Sequence, residues 1–175
     1  MSRCFAPATA CRGRSRAAPV VVAYLIDHPH LIPAATRWIW DAWPELRTVP
    51  TLDQEIADER ATLRRDEVPT TFIAMSEGRL AGRASLVACD MTSREALTPW
   101  LSCVYVAPEY RGMGLASTLV ERVTVEAARL GFGEVYLYTQ DQQRMYQRIG
   151  WRRLEEAEYK GLRVTIMRRE LTPSG

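Results

Sequence analysis

The most informative segment of this 175-residue chain is Val104-Tyr105-Val106-Ala107-Pro108-Glu109-Tyr110-Arg111-Gly112-Met113-Gly114-Leu115-Ala116. The residues that lead into its turn, 100–106, are rich in β-branched and aromatic side chains and predict a strand. After the turn, apolar residues at helical spacing predict a helix over 115–130: Leu115, Leu119, Val123, Ala127 and Leu130. A strand, a short glycine-containing turn and a long helix therefore follow one another.

The turn between this strand and this helix has the properties of an anion site. The first backbone amides of a helix have no partner within the helix, and the helix dipole adds positive potential there. Gly112 and Gly114 lack a Cβ atom, so the backbone can bend and a pyrophosphate can approach closely. Arg111 adds a fixed positive charge. The sequence therefore predicts phosphate binding at this turn.

Three phosphate-binding patterns compete for the turn. A P-loop requires a lysine directly after its last glycine, and none follows Gly112 or Gly114. A dinucleotide fingerprint requires G-x-G-x-x-G, but Ser117 stands in place of the third glycine and residues 108–111 separate the strand from the first. The third pattern, R-G-x-G-x-A, fits without gaps.

With this pattern the chain resembles the GNAT superfamily of acetyl-CoA-dependent N-acetyltransferases. The family's pyrophosphate motif, Q/R-x-x-G-x-G/A, is filled here by Arg111, Gly112, Met113, Gly114, Leu115 and Ala116. A second element, residues 138–151, is similar to the family segment that ends in Y-x-x-x-G-F/W, with Tyr146, Gly150 and Trp151 at the fixed positions. The resemblance is clear over residues 68–170 and weaker over 20–65.

Hydrophobic periodicity predicts the remaining elements. Strands are expected at residues 20–25, 70–75, 80–88, 100–106, 135–138 and 162–166, with an extra one near 152–158, and helices at 33–43, 51–63, 115–130 and 142–149. This order predicts an α/β (α+β) domain with a mixed sheet. The resemblance implies a GNAT-type, mostly antiparallel sheet of six to seven strands flanked by about four helices and split between the fourth and fifth strands.

The resemblance also implies how acetyl-CoA, the acetyl donor, would bind. Its pantetheine arm is expected in the split, paired like an added strand with backbone groups of Val104 and Val106. The amides of residues 111–116 are expected to hold the pyrophosphate. The thioester then points toward the region between Trp100 and Tyr146.

Tyr146 matches the family position of the general acid that protonates the departing thiolate. A phenol with a pKa of about 10 can protonate a thiolate with a pKa of about 8.5, because the proton moves only as charge develops. The alternative is that Tyr146 is a packed aromatic beside Met145 and Ile149 on the same short helix.

The base and the acceptor pocket are less well defined by the sequence. Some family members carry a glutamate on the strand entering the motif, but residues 99–102 contain no carboxylate. Asp90 is the candidate base, acting directly or through water, and its alternative is a solvated loop acid. Trp40, on a different helix face from Ile39 and Trp43, is the candidate acceptor-pocket residue, and its alternative is ordinary packing.

Composition excludes several other classes of protein. Four of the 23 basic side chains lie in residues 1–18, which contain no acid, so the rest of the chain has 19 basic against 21 acidic residues. A nucleic-acid binder would show a basic surplus in its folded part. The four cysteines form no metal or disulfide pattern, and no metal site is expected. The longest apolar run, residues 17–26, is too short to span a membrane.

The sequence therefore predicts a mobile leader at residues 1–18 and a single cytoplasmic acetyltransferase domain at 19–172. The expected reaction is acetyl transfer from acetyl-CoA to a primary amine, on a small molecule or a peptide N-terminus, by direct attack in a ternary complex. The alternative is a non-catalytic acyl-CoA-binding module of the same fold. Because members of the family are often dimers, a homodimer stays open.

Overall fold

The computed structural model describes residues 19–172, in which seven strands form one sheet and four α-helices flank it. The strands are β1 (Val20–Tyr24), β2 (Thr70–Ser76), β3 (Arg79–Val87), β4 (Trp100–Val106), β5 (Glu134–Thr139), β6 (Arg152–Tyr159) and β7 (Leu162–Glu170). The helices are α1 (Ile32–Ala42), α2 (Leu52–Thr62), α3 (Leu115–Arg129) and α4 (Gln143–Arg148). The predicted strand and helix numbers are confirmed, including the extra strand. The predicted leader, residues 1–18, lies outside the described residues.

The sheet is open between its fourth and fifth strands. The strand order is β1-β2-β3-β4-β5-β7-β6, and every neighbouring pair is antiparallel except β4 and β5, which run parallel. Within residues 19–172 these two strands share a single register pair, Trp100 with Tyr136, beside a hydrogen bond of 2.9 Å from the Tyr136 N–H to the Pro99 carbonyl. The strands therefore separate toward their carboxyl ends, and the predicted split is confirmed.

Local sequence signals set the ends of the helices. The Thr51 hydroxyl accepts a hydrogen bond from the Gln54 amide at 3.3 Å and caps α2, as its S/T-x-x-E/Q spacing predicts. Helix α3 stops at Gly131, whose φ of 87° suits only glycine without strain. The Phe132 amide then donates to the Ala127 carbonyl at 3.0 Å and closes the last turn.

Strand β2 shows how the two faces of the sheet are covered. Phe72 and Ala74 pack in the large cluster beneath α3, whereas Ile73 packs beneath α1 and α2. The α3 cluster also contains Tyr146 and Trp151, so α4 covers the same face as α3. The helices thus form one layer on each side of the sheet.

The loop between β3 and β4 covers a third apolar cluster. Met91 from this loop is fully buried with Trp100 and Tyr136. These rings lie on the face opposite α3, because Leu101 and Leu137, the next residues along the strands, point into the α3 cluster. The face that carries α1 and α2 therefore has two separate apolar clusters.

Strand β4 contains a β-bulge beside the split. Arg83 pairs with Tyr105 and Ser85 pairs with Ser102, so two steps along β3 match three along β4. Cys103, within the bulge, has a φ of 53°. A bulge bends its strand and interrupts the ladder, so β4 turns away from regular pairing at the point where the split opens.

None of the helices within residues 19–172 has both the length and the apolar character that a membrane span needs. In the same range, no three His, Cys, Asp or Glu side chains are grouped closely enough to hold a metal ion.

Candidate active site

The turn before α3 leaves open space above its backbone. Gly112 and Gly114 have φ values of 76° and 81°, and Gly114 is the N-cap of the helix. A Cβ atom built on either glycine would meet no atom within 4 Å. The two glycines therefore satisfy the backbone conformation and also keep the surface of the turn accessible to a ligand.

Six consecutive amides at this turn are available to an anion. The Arg111 amide donates to the Pro108 carbonyl at 3.3 Å, and the Thr118 amide donates to the Gly114 carbonyl at 3.1 Å. The amides between them, residues 112–117, donate to no acceptor in the part of the chain that the structure describes. Free amides at a helix start, with the helix dipole behind them, have the properties of a phosphate site. Of the residues 111–116 that the resemblance implies for the pyrophosphate, only Arg111 has its amide engaged by another backbone group.

Among the side chains of the turn, Arg111 is charged and Leu115 anchors the turn in the core. The Arg111 Nε donates to the Val106 carbonyl at 3.1 Å, so this exposed guanidinium is held at the end of β4. The Leu115 side chain is buried in the α3 cluster, whereas Met113 is half exposed. Apart from Arg111, the turn can contact an anion mainly through its backbone.

The free edge of β4 faces the split. The Ala107 amide, directly after β4, donates to the carbonyl of Ala81 in β3 at 3.0 Å. Because successive residues of a strand direct their backbone groups to opposite edges, those of Val104 and Val106 point toward the split. The Val106 carbonyl already accepts the Arg111 bond. The two strand positions that the resemblance implies for cofactor pairing therefore face the split.

Tyr146 lies on α4 beneath the same face of the sheet as α3. Its side chain is 7% exposed, and its ring meets Trp151 edge to face at 5.9 Å. The Tyr146 hydroxyl makes no hydrogen bond to another described residue, yet protein atoms do not enclose it fully. Burial raises the pKa of Tyr146 to about 12. The ring is packed, as the alternative interpretation expects, while the hydroxyl stays open to solvent.

Asp90 lies in the loop between β3 and β4, and it is half-buried. Burial raises the pKa of this carboxyl to about 6, and the smaller effects of the Ser102 hydroxyl and the Lys160 ammonium lower it. A freely solvated loop acid would not show this shift. Asp90 therefore has the environment of a group that can exchange protons near neutral pH.

The tryptophans of α1 do not share one environment. Trp38 and Trp43 pack against Tyr105 of β4, with ring centroids 5.1 and 6.3 Å apart. Trp40 is instead covered by the Arg47 guanidinium, which lies 4.3 Å from its ring and donates to its carbonyl at 2.8 Å. Trp38 and Trp43 therefore contact β4, whereas Trp40, the candidate acceptor-pocket residue, lies against Arg47.

The chain matches a known protein family over most of its length. A family model described as the acetyltransferase (GNAT) family matches residues 32–151, more than half of the chain. The chain belongs to this family. A search of curated protein sequences found no significant match.

Solved structures of GNAT proteins share this fold. The protein yncA from Salmonella typhimurium, described with its cofactor acetyl-CoA, has a TM-score of 0.67 and 21% identity over 89% of this chain and 98% of its own. An aminoglycoside 6'-N-acetyltransferase complexed with coenzyme A has a TM-score of 0.69 and 13% identity over 89% and 99%. A GNAT acetyltransferase from Streptococcus pneumoniae has a TM-score of 0.66 and 16% identity over 88% and 100%.

In this GNAT domain the far side of the split is lined by residues that the sequence did not identify. Burial raises the pKa of Tyr138 on β5, and the negative groups near it add to this shift, among them Asp90 and Glu45. Burial also raises the pKa of the Cys103 thiol on β4 to about 11. These residues come from distant parts of the chain. Only the alternation of Tyr136 and Tyr138 along β5 offered a signal in the sequence.

Proposed function

We propose that this GNAT family member transfers an acetyl group from acetyl-CoA to a primary amine, on a small molecule or a peptide N-terminus. The observation that carries the proposal is the row of free amides at residues 112–117, which lies at the mouth of the split beside the open edge of β4. A pyrophosphate followed by an extended arm matches this combination. The acetyl-CoA of yncA and the coenzyme A of the aminoglycoside enzyme support the choice of donor.

The donor would be held mainly by backbone groups. The amides of residues 112–117 bind the pyrophosphate, Arg111 adds charge, and the edge of β4 at Val104 and Val106 pairs with the pantetheine arm. When bound, acetyl-CoA supplies a thioester whose carbonyl carbon accepts a nucleophile. The Val106 amide faces the same space and can donate to the carbonyl oxygen as negative charge develops.

Asp90 and Tyr146 share the proton transfers. Asp90 takes the proton that the attacking amine loses, directly or through water. The new C–N bond forms as the C–S bond breaks, in one ternary complex. Tyr146 gives its phenolic proton to the departing sulfur. The products are an acetamide and the free thiol of coenzyme A, and the proton on Asp90 returns through solvent to Tyr146.

The pKa values support these roles. With a pKa of about 6, Asp90 is ionised at neutral pH and is still basic enough to accept a proton. With a pKa of about 12, Tyr146 is protonated at neutral pH and can donate its proton to the departing sulfur as negative charge develops there. The burial that raises the pKa of Tyr146 also disfavours a free thiolate, so the proton affinity of the sulfur rises with it.

Substitution of Tyr146 by Phe tests the catalytic role. We expect kcat for thiol release to fall by about a hundredfold, because the ring is kept while the proton donor is lost. Affinity for acetyl-CoA and the thermal midpoint should stay at wild-type values, since the hydroxyl has no protein partner among the described residues. Thiol release is followed with a chromogenic disulfide over a panel of amines.

This experiment distinguishes an acetyltransferase from a non-catalytic acyl-CoA-binding module of the same fold. If the Tyr146→Phe variant kept the wild-type kcat, Tyr146 would not be the general acid. Binding of acetyl-CoA with no thiol release from any amine, peptide N-termini included, would favour the non-catalytic acyl-CoA-binding module.

A further inference from the structure

Neutral groups, rather than a carboxylate, hold the Arg111 side chain. Its Nε donates to the Val106 carbonyl at 3.1 Å, and its Cζ lies over the Tyr105 ring, 5.9 Å from the ring centroid. Within residues 19–172 no carboxylate forms an ion pair with this guanidinium, whereas Arg94 and Arg129 are each paired with a glutamate. The charge of Arg111 is therefore fixed in place without being neutralised.

Most of the hydrogen-bond donors of Arg111 are unused. A guanidinium carries five N–H donors, and the Nε–H is the one that donates to Val106. The two Nη atoms donate to none of the residues that the structure describes. They lie on the side chain that directly precedes the free amides of residues 112–117. This arrangement is expected where a bound anion supplies the missing counter-charge.

The Tyr105 ring is held in turn by helix α1. The ring lies on the face of the sheet that carries α1, because the neighbouring Val104 and Val106 pack in the α3 cluster. Trp38 stacks on it at a tilt, with centroids 5.1 Å apart, and Trp43 meets it edge to face at 6.3 Å. Two rings of α1 therefore fix the position of a third ring at the end of β4.

We propose that Tyr105 is a positioning residue for Arg111: its ring, held by α1, keeps the guanidinium at the phosphate turn before an anion binds. The inference rests on the proposed function for the identity of that anion, the pyrophosphate of acetyl-CoA. The face of an aromatic ring attracts a cation. Because an arginine side chain has many rotamers, ordering it only on binding would weaken affinity by about fivefold.

Two substitutions of Tyr105 test the role of the ring by calorimetric titration with acetyl-CoA. Tyr105→Leu removes the ring and should weaken binding about fivefold, whereas Tyr105→Phe keeps the ring and should bind as the wild type does. The backbone of Tyr105 pairs with Arg83 of β3, so neither change alters the edge of β4 at the split directly. Equal acetyl-CoA affinities of the two variants would overturn the inference.

The Arg111→Gln background separates positioning from structural support. If Tyr105 acts through the guanidinium, Tyr105→Leu should have little effect, less than about twofold, once residue 111 is glutamine. The same loss of affinity in both backgrounds would show that Tyr105 supports the site without acting through Arg111, and would overturn the inference.

Inorganic pyrophosphate tests the inference separately from the proposed reaction. It is titrated into the wild type, Tyr105→Leu, Arg111→Gln and the double variant. Weaker binding in Tyr105→Leu, with no further loss in the double variant relative to Arg111→Gln, supports the inference even if no amine is acetylated. Unchanged affinity of Tyr105→Leu for both ligands overturns it even if thiol release is fast. Failure of folded wild-type protein to bind either ligand also overturns it.

Discussion

At the scale of one residue, Asp90 shows how the position of a side chain in the fold changes its proton affinity. In the sequence it is one acid in a polar loop, with a solvated side chain as its simplest interpretation. In the fold the loop is anchored by buried Met91, Asp90 is half-buried next to it, and the Ser102 hydroxyl acts on its carboxyl. Burial then raises its pKa to about 6. The loop contact that causes this shift is long-range, so no local pattern predicts it.

A pH profile of the Asp90→Asn variant tests the base role. In the wild type, kcat/KM should fall below pH 6, because a base is inactive once protonated. The Asn variant should lose about a hundredfold of the neutral-pH activity and lack this acidic limb. An unchanged profile in Asp90→Asn would assign the base to another group.

The stability of the same variant provides the control. A raised pKa means that folded Asp90 binds its proton more tightly than the unfolded chain does, so its contribution to stability falls as pH rises from about 4 to about 6. At pH 8 the ionised, half-buried carboxylate is therefore unfavourable. Asp90→Asn should keep or raise the thermal midpoint at pH 8, which separates lost activity from lost fold.

The residues of the site differ in how far the sequence predicted them. In our proposal the glycine turn at 111–116 acts mostly through backbone amides, and a local motif is sufficient to predict such a group. The orientation of Arg111 toward the Val106 carbonyl was not predictable, because it depends on where β4 ends. Tyr138 was missed as a site residue, because its environment depends on loops and strands far from it in the sequence.

At the scale of elements, one buried ion pair joins α2 to the sheet. Arg83 of β3 and Glu59 of α2 form two hydrogen bonds of 2.7 and 3.0 Å, and the Arg83 side chain is 4% exposed. The Thr36 hydroxyl of α1 donates to the same carboxylate at 2.5 Å. Helices α1 and α2 and strand β3 therefore meet at Glu59. An arginine inside an otherwise apolar strand was the signal for such a pair.

Substitution of Glu59 by Gln should destabilise the protein by about 3 kcal/mol, because it leaves the Arg83 guanidinium buried without its counter-charge. Urea unfolding measures the change. The matched control is Glu156→Gln, which removes an exposed pair with Arg153 and should cost less than about 1 kcal/mol. A loss of stability at Glu59 no larger than at Glu156 would contradict the assigned role of the pair.

Periodicity predicted the elements better than their arrangement. The sequence pattern predicted α3 and β2 nearly to the residue, because α3 buries one face along its whole length and β2 is buried on both faces. The placement of β7 between β5 and β6 has no local signal. The split between β4 and β5 was implied only by the resemblance. Anchoring of the loop by Met91 was also missed, since one apolar residue forms no periodic pattern.

At the scale of the whole molecule, the split connects two differently built faces of one sheet. The glycine turn and Tyr146 belong to the α3 side, whereas Asp90 belongs to the side of α1 and α2, beside buried Met91. In our account the donor enters from the first and the acceptor from the second. A homodimer, a cytoplasmic location and a separate leader at residues 1–18 stay predictions from the sequence.

Calorimetric titration with acetyl-CoA is the most direct test of this account, made on the wild type, Gly114→Ala and Gly78→Ala. Both glycines have left-handed φ values, 81° and 74°, and open space around an added Cβ, so both variants should lose a similar stability of about 1 kcal/mol. Only the Cβ at Gly114 obstructs the approach of a phosphate to the amide turn. The account predicts saturable binding to the wild type and to Gly78→Ala, weakened more than tenfold in Gly114→Ala. No saturable binding by folded wild-type protein, or equal affinity in the two variants, would contradict it.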